Sequence, residues 1–420
     1  MGLMEAGKGK GARAEARCQE LSRPPYSEQM DGLTRLYLTP AHRAALDRIA
    51  ELMRSAGMNV REDAAATLIG RLEGDRPGAP ALVLGSHVDS VRDAGCYDGP
   101  LGVMLGLACA EAVQAAGLRL PFALEVVAFG DEEGSRFQAS MNASRAMAGR
   151  LDAATALAAV DRQGATLADA MMTFGLDPSA LHAARRDSAS VIAFVEPHIE
   201  QGPVLERRGA SLGVVTSIAG QWRLKVGLRG RAGHAGTTPM DMRQDALACA
   251  AECVLAAERI AAEGPADLVA TVGQITVRPG APNVIPGAAE LTLDVRAGTD
   301  GVRDAGLASI EAAIADIADV RGVALSLERV QNLPAAAMDA RLQRMLHAAG
   351  RRAGLELPSL ISGAGHDAMI LAQTFPTAML FVRCAGGISH NPAESVTGED
   401  CEAALAVLLS FIELLADETA

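Results

Sequence analysis

Positive charge is in short supply in this 420-residue chain: 38 Lys and Arg stand against 51 Asp and Glu, a formal net charge of −13. Such a surface repels a phosphate backbone and no basic patch offsets it, so no nucleic-acid partner is expected. Long apolar runs are missing too. No stretch reaches the roughly 18 apolar residues a membrane helix needs, so no membrane partner is expected either. The opening MGLMEAGKGKGARAEARCQE carries charge and glycine in place of the apolar core of a secretory signal, and the expected location is cytoplasmic. Cysteine is sparse and odd in number, seven residues with no C-x-x-C pair, which fits reduced thiols in a cytosolic protein. Cys249 and Cys253, four apart in an alanine-rich helical pattern, read as core packing rather than as metal ligands. Only eight histidines occur, so their placement is informative.

What is present is enough apolar material, 49% of residues, for ordinary globular cores. The length exceeds one usual core and suggests about two domains of ~100–250 residues. From about residue 40 to 210, helices alternate with short β-rich runs: a helix over Ala41–Ala56, a strand over Ala81–Ser86, a helix over Leu101–Ala116, and strands over Phe122–Gly130 and Val191–Val195. That order predicts an α/β fold, a mixed, mainly parallel sheet with helices on both faces, and ligands gather at the carboxyl ends of such strands. Near Gly213 the period changes. Trp222, Leu224, Val226 and Leu228 alternate with polar residues, as in a half-exposed strand. A helix over Met242–Ala262, strands over Leu268–Val277 and Glu290–Arg296, a helix over Val302–Ile317 and a strand over Val323–Val330 complete a βαββαβ, ferredoxin-like unit. The expected division is residues 1–213 and 329–420 for the first domain, its first 30 or so flexible, with 214–328 inserted between them. A helix over Arg341–Ala353, a strand over Thr377–Arg383 and a helix over Glu399–Leu415 close the first domain.

Five turns at or just past apolar runs hold the chemistry: Gly85-Ser86-His87-Val88-Asp89, Tyr97-Asp98-Gly99, Asp131-Glu132-Glu133-Gly134, Glu196-Pro197-His198-Ile199-Glu200 and Ser389-His390-Asn391. Imidazole nitrogen and carboxylate oxygen are the ligands that zinc or manganese takes. Asp89, two residues from His87 in an extended segment, can orient the imidazole from behind. Taken singly, H-x-D is a common surface pair and Asp98 could simply cap the helix that follows. Glu132 and Glu133 are adjacent acids that repel unless a cation or proton separates them, so one can ligate while its neighbour serves as general base. His198 and His390 add imidazoles in the same kind of turn, whereas His42, His182 and His347 lack such neighbours and are assigned surface or core roles. A rival motif, Gly363-Ala364-Gly365-His366-Asp367-Ala368, fits a loose dinucleotide fingerprint but lies near the C-terminus with no acidic ribose partner. Glycine-rich backbone beside a small substrate is the better use.

The runs GSHVDSV, YDGPLGV, FGDEEGSRF, EPHIEQGPVLE, GRAGHAGTTPM, PNVIPG, LDVR, SGAGHDA and GGISHNPAE together resemble the amidase, hydantoinase/carbamoylase family, which includes N-carbamoyl-L-amino acid hydrolases and allantoate amidohydrolases. The resemblance spans about residues 30–415. It implies two divalent metals per subunit, manganese or zinc with nickel or cobalt as alternatives. His87 and His198 would hold one, Glu133 and His390 the other, and Asp98 would bridge. Glu132 would be the general base and Asp89 the orienter of His87. The inserted domain would act as a lid and pair two subunits into a homodimer, with His234 of GRAGHAG polarising the scissile carbonyl in the partner's site. Asn283 and Arg296 would grip the substrate carboxylate, a task suited to the guanidinium fork. Gln201, Gly365 and His366 are lesser candidates for the ureido or carboxylate end, and Gln221 is weaker still. Pro197 stands where the family more often has an aliphatic residue, so His198 is the ligand to check. The implied reaction is hydrolysis of a ureido C–N bond in a small carboxylate. Arg92-Asp93-Ala94-Gly95 and Phe381-Val382-Arg383-Cys384 lean toward allantoate over N-carbamoyl-L-amino acids. Ureidoglycolate, N-carbamoyl-β-alanine and dipeptide or acylamino-acid substrates stand further off.

Overall fold

The computed structural model describes residues 2–137 and 139–419. The chain forms two compact units, one of Met1–Thr216, Met338–Leu360 and His366–Ala420, the other of Ser217–Ala337 with Ile361–Gly365.

The larger unit is built on a sheet whose strands include β1 (Asn59–Glu62), β2 (Leu68–Leu72), β3 (Ala81–His87), β4 (Ala123–Phe129), β5 (Val191–Ile199), β6 (Leu212–Ile218) and β7 (Thr377–Val382). Their spatial order is β1-β2-β4-β3-β5-β7-β6. The four central strands run parallel, and β2 and β6 flank them antiparallel. This is the mainly parallel α/β sheet expected from the alternation of elements. β3 and β4 are buried along their whole length, which is why they read as continuous apolar runs. The one acid among them, Glu125, is held by Arg71 at 2.8 Å and by Arg186. Helix Pro100–Ala116 starts with Pro at its first position and stops at Gly117 in the left-handed region, the two strongest local punctuators of a helix.

Within the first 30 or so residues, expected to be flexible, Leu3–Gly7 and Lys10–Glu20 are helices. Their buried residues Leu3, Ala6, Gly7, Gly11, Ala14 and Cys18 are mostly small, so the apolar stripe is faint in sequence. The Ala12 N–H donates to Glu402 at 3.0 Å and Arg17 pairs with Glu111 at 2.7 Å.

The smaller unit is an antiparallel sheet ordered Ile275–Arg278, Ala288–Ala297, Gly220–Arg229, Ala324–Leu333. Leu224, Val226, Leu228, Leu291, Leu293 and Val295 pack with Cys249, Cys253, Leu307, Ile310 and Ile314 of helices Ala246–Glu263 and Asp300–Val320. Both cysteines are thus core residues. The run Leu268–Val277 divides into two short strands, Val269–Thr271 and Ile275–Arg278. The helix begins at Ala246 rather than near Met242 because Asp245 caps it, accepting from the N–H groups of Leu247 and Ala248 at 3.0 Å each.

Candidate metal centre and substrate-facing residues

The parallel strands bring their carboxyl ends to one edge. His87 ends β3, Asp131-Glu132-Glu133 follow β4, His198 is the penultimate residue of β5, and the loop after β7 carries Ser389 and His390. Asp98 enters from the turn before helix Pro100–Ala116, whose N-cap is Gly99, so Asp98 is not its cap. Two glycines make this approach possible. A Cβ on Gly99, which has φ +84°, would lie 2.5 Å from the His87 imidazole, and one on Gly102 would lie 2.2 Å from the Pro197 carbonyl oxygen.

Asp98 stands between two groups of donors. Its Oδ1 is 3.2 Å from His198 Nε2 and 3.7 Å from His87 Nε2, while its Oδ2 is 3.2 Å from His390 Nε2. Glu133 Oε1 is 3.6 Å from the same His390 nitrogen. The sets His87/Asp98/His198 and Asp98/Glu133/His390 each bring their ligand atoms within 4.8 Å of one another. Both inner imidazoles present Nε2 because Nδ1 is occupied: His198 Nδ1 donates to the Ile199 carbonyl at 2.9 Å and His87 Nδ1 to the Asp89 carbonyl at 3.0 Å. Pro197 continues β5 in register with Leu380 and leaves His198 within reach of Asp98.

Asp89 meets the His87 ring with two of its oxygens. Its backbone carbonyl is the nearer partner of His87, with the carboxylate at 3.5 Å. That carboxylate also accepts from the backbone N–H groups of Glu132 at 3.1 Å and Glu133 at 3.2 Å, fixing the acidic turn. Gln201, considered for substrate contact, donates to Asp98 Oδ2 at 2.8 Å and contacts Ser389 Oγ at 3.0 Å, and that hydroxyl also donates to Asp98 at 2.9 Å. Asp131, Gln201 and His390 all have positive φ, a backbone region that non-glycine residues occupy at some cost and that clusters at functional sites.

Burial and like charge shape the titration. Burial, then the neighbouring Asp98 charge, pushes Glu133 up to about 7. Glu132 is likewise raised by burial with Glu133 and Asp367 beside it. Asp98 goes the other way: burial would raise it, but bonds from His198, His390 and His87 hold it well below the usual carboxylate range. Two buried imidazoles and the half-exposed one of His390, facing crowded acids, are the donor chemistry that borderline divalent ions take, so these residues fit such a metal.

Sequence reasoning assigned no role to Glu394 or Glu196. Glu394 accepts from the backbone N–H groups of Tyr97 at 2.8 Å and Asp98 at 3.1 Å, bracing the turn that presents Asp98. Glu196 accepts from Ser86 at 2.6 Å and from the Ala368 N–H at 2.8 Å, tying β3 and β5 to helix Asp367–Leu371. The two glutamates lie inside the quoted motifs, but their partners are mostly backbone, which leaves no spacing signature. His366 is buried, its ring edge-on to His198 at 4.4 Å between centroids.

The other candidates belong to the smaller unit. His234 and Asn283 are neighbours on a two-stranded ribbon in which His234 pairs with Val284 and the Ala235 N–H donates to the Asn283 carbonyl at 3.0 Å. Both side chains are exposed. Arg296 and Gln221 face each other across the larger sheet. Arg296 and Gly363 line a cavity of about 750 Å³. Gly365 lies at the end of the short segment Ile361–Gly365.

This chain belongs to the peptidase family M20/M25/M40, whose model matches residues 83–414, and within it to the hydantoinase/carbamoylase amidases, hydrolases of carbon–nitrogen bonds. It is 44% identical over 385 residues to an N-carbamoyl-L-amino acid amidohydrolase of Geobacillus stearothermophilus, covering 92% of this chain and 94% of that protein. It is 40% identical to allantoate deiminase 1 of Glycine max, covering 96% of this chain and 89% of that protein. A solved amidase of the hydantoinase/carbamoylase family from Burkholderia multivorans superposes with a TM-score of 0.89 at 34% identity, covering 96% and 97% of the two chains.

Proposed function

We propose that this protein hydrolyses a ureido C–N bond in a small carboxylate, with allantoate as substrate. The observation that carries the reading is Asp98, whose two oxygens face two separate donor sets. His87 and His198 would hold one divalent ion, Glu133 and His390 a second, and Asp98 both; manganese or zinc suits this mixture of nitrogen and oxygen donors. The chemistry supplied by ions so bound is polarisation of a carbonyl and acidification of water. Glu132 takes the proton from the attacking water and returns it to the leaving nitrogen, and burial, which raises its carboxyl above the ordinary range, strengthens it as a base. Gln201, Ser389 and Glu394 hold Asp98 in place, and Asp89 fixes the backbone from which Glu132 projects.

His234 is assigned the scissile carbonyl, and Asn283 and Arg296 the substrate carboxylate. Gly365 and His366 are lesser contacts. The smaller unit would act as lid and as the interface of a homodimer. Its strand Ala324–Leu333 supports that role, being an edge of the sheet with Leu327 and Val330 exposed.

A second substrate reading, N-carbamoyl-L-amino acids, is favoured by the 44% identity to the Geobacillus relative. The two are separated by assaying allantoate and a set of N-carbamoyl-L-amino acids with added manganese or zinc. Ammonia release from allantoate with the higher kcat/KM supports the first reading, a higher kcat/KM on the carbamoyl amino acids supports the second, and no turnover of either sinks both.

A further inference from the structure

The guanidinium of Arg296 is not free to turn. Asp294 precedes it by two residues on the same strand, so both side chains lie on one face of the sheet. Asp294 Oδ1 accepts from Arg296 Nε at 2.8 Å and Oδ2 from Nη2 at 3.3 Å, a two-point grip on one edge of the group. The Gly363 carbonyl takes Nη1 at 2.6 Å. A guanidinium has five N–H donors, so these three bonds leave one N–H on each terminal nitrogen, the pair of donors that a carboxylate takes in a forked contact. All three residues line the cavity of about 750 Å³, whose other walls include the apolar Val269, Leu224 and Val330.

Asp294 is itself held. Arg223, its cross-strand partner, donates Nε to Oδ2 at 3.1 Å, and Gln221, the cross-strand partner of Arg296, donates to the same oxygen. Burial would raise this carboxyl, but the bonds and charge of Arg296, then the bonds of Arg223 and Gln221, keep it below its ordinary value and therefore ionised. One anion thus serves two cations, and a positive charge is left at the cavity wall for an incoming acid.

We propose that Asp294 is a positioning residue for carboxylate recognition: by gripping one edge of Arg296, with Gly363 on the other side, it sets which donors the substrate's carboxylate meets. The proposal rests on the reading of Arg296 as the carboxylate-binding residue. Gln221 then acts through Asp294 rather than on substrate.

A double-mutant cycle tests it, because two residues acting as one unit are not additive. Wild type, Asp294→Asn, Arg296→Ala and the double variant are assayed on allantoate and on N-carbamoyl-L-methionine. With Arg296 intact, Asp294→Asn is expected to lower kcat/KM about tenfold through KM, with kcat within about twofold, as the guanidinium regains its rotamers. With Arg296 already replaced, the same change is expected to cost less than about twofold. An equal loss in both backgrounds, or none in either, overturns the proposal while leaving the hydrolase reading intact. A wild type that hydrolyses neither compound overturns both.

Discussion

Replacing Asp89 by Asn probes how the acidic turn is held. The wild-type carboxylate accepts two backbone N–H bonds, from Glu132 at 3.1 Å and Glu133 at 3.2 Å, in a site where Asp89 is 1% exposed. An amide of the same shape offers one carbonyl oxygen, and its NH2 group would face the second N–H donor to donor. The change therefore loses one charge-assisted bond, about 1.5–3 kcal/mol, and leaves a buried N–H unsatisfied at a further ~1–3 kcal/mol. Partial relaxation of the loop reduces the sum, so we expect a loss of about 2–5 kcal/mol, read as a lower urea midpoint at unchanged m-value in protein freed of metal. Because the turn carries both Glu132 and Glu133, turnover should fall by about 10–100-fold even at saturating manganese, as for other residues that support ligands. A variant less than about 1 kcal/mol destabilised and with turnover retained would show that the carboxylate does not fix the turn.

Glu132→Gln should keep its full metal content by elemental analysis and lose about 10²–10⁴ in turnover, and metal loss in parallel with activity would make Glu132 a ligand instead. Gly102→Ala would place a Cβ 2.2 Å from the Pro197 carbonyl and should cost about 1–3 kcal/mol or more, so an unchanged melting temperature would contradict the close packing of that helix on β5. His42 is buried against Tyr37 and Phe174, accepts the Leu38 N–H at 3.2 Å, and is dropped by burial to about 3. The unfolded chain protonates this ring near pH 6.5 while the folded one does not. Its share of stability is therefore full above that value, declines as pH falls by at most about 1.4 kcal/mol per pH unit, and is exhausted at about 3. His42→Gln should flatten this acid limb in urea titrations, and identical slopes would refute the assignment.

Much of the larger unit could be read before any coordinates, because its buried parallel strands announce themselves as unbroken apolar runs and the reactive side chains follow them directly. His87, Glu133, His198 and His390 were legible for that reason: each is a polar residue at the carboxyl end of a strand or in the loop that follows it. The tasks of Asp89, Gln201 and Glu394 were not. Asp89 contacts the His87 ring and also bonds two backbone N–H groups, Gln201 steadies Asp98, and Glu394 reaches back almost 300 residues to the Tyr97–Asp98 backbone. Contacts to backbone or across such separations impose no period on the sequence. The N-terminal helices escaped for a different reason: small residues such as Ala6, Gly11 and Ala14 form a packing stripe that looks like a polar, glycine-rich tail. In the smaller unit the strand alternation was plain, yet one of the three bonds that immobilise Arg296 runs to the backbone carbonyl of Gly363, 67 residues away, which leaves no mark on the sequence.

The most direct measurement is anomalous diffraction from crystals loaded with zinc or manganese. The account predicts two peaks per chain, one beside His87 and His198 and one beside Glu133 and His390, with a different oxygen of Asp98 touching each. A single peak, or peaks that leave Asp98 uncoordinated, would contradict it.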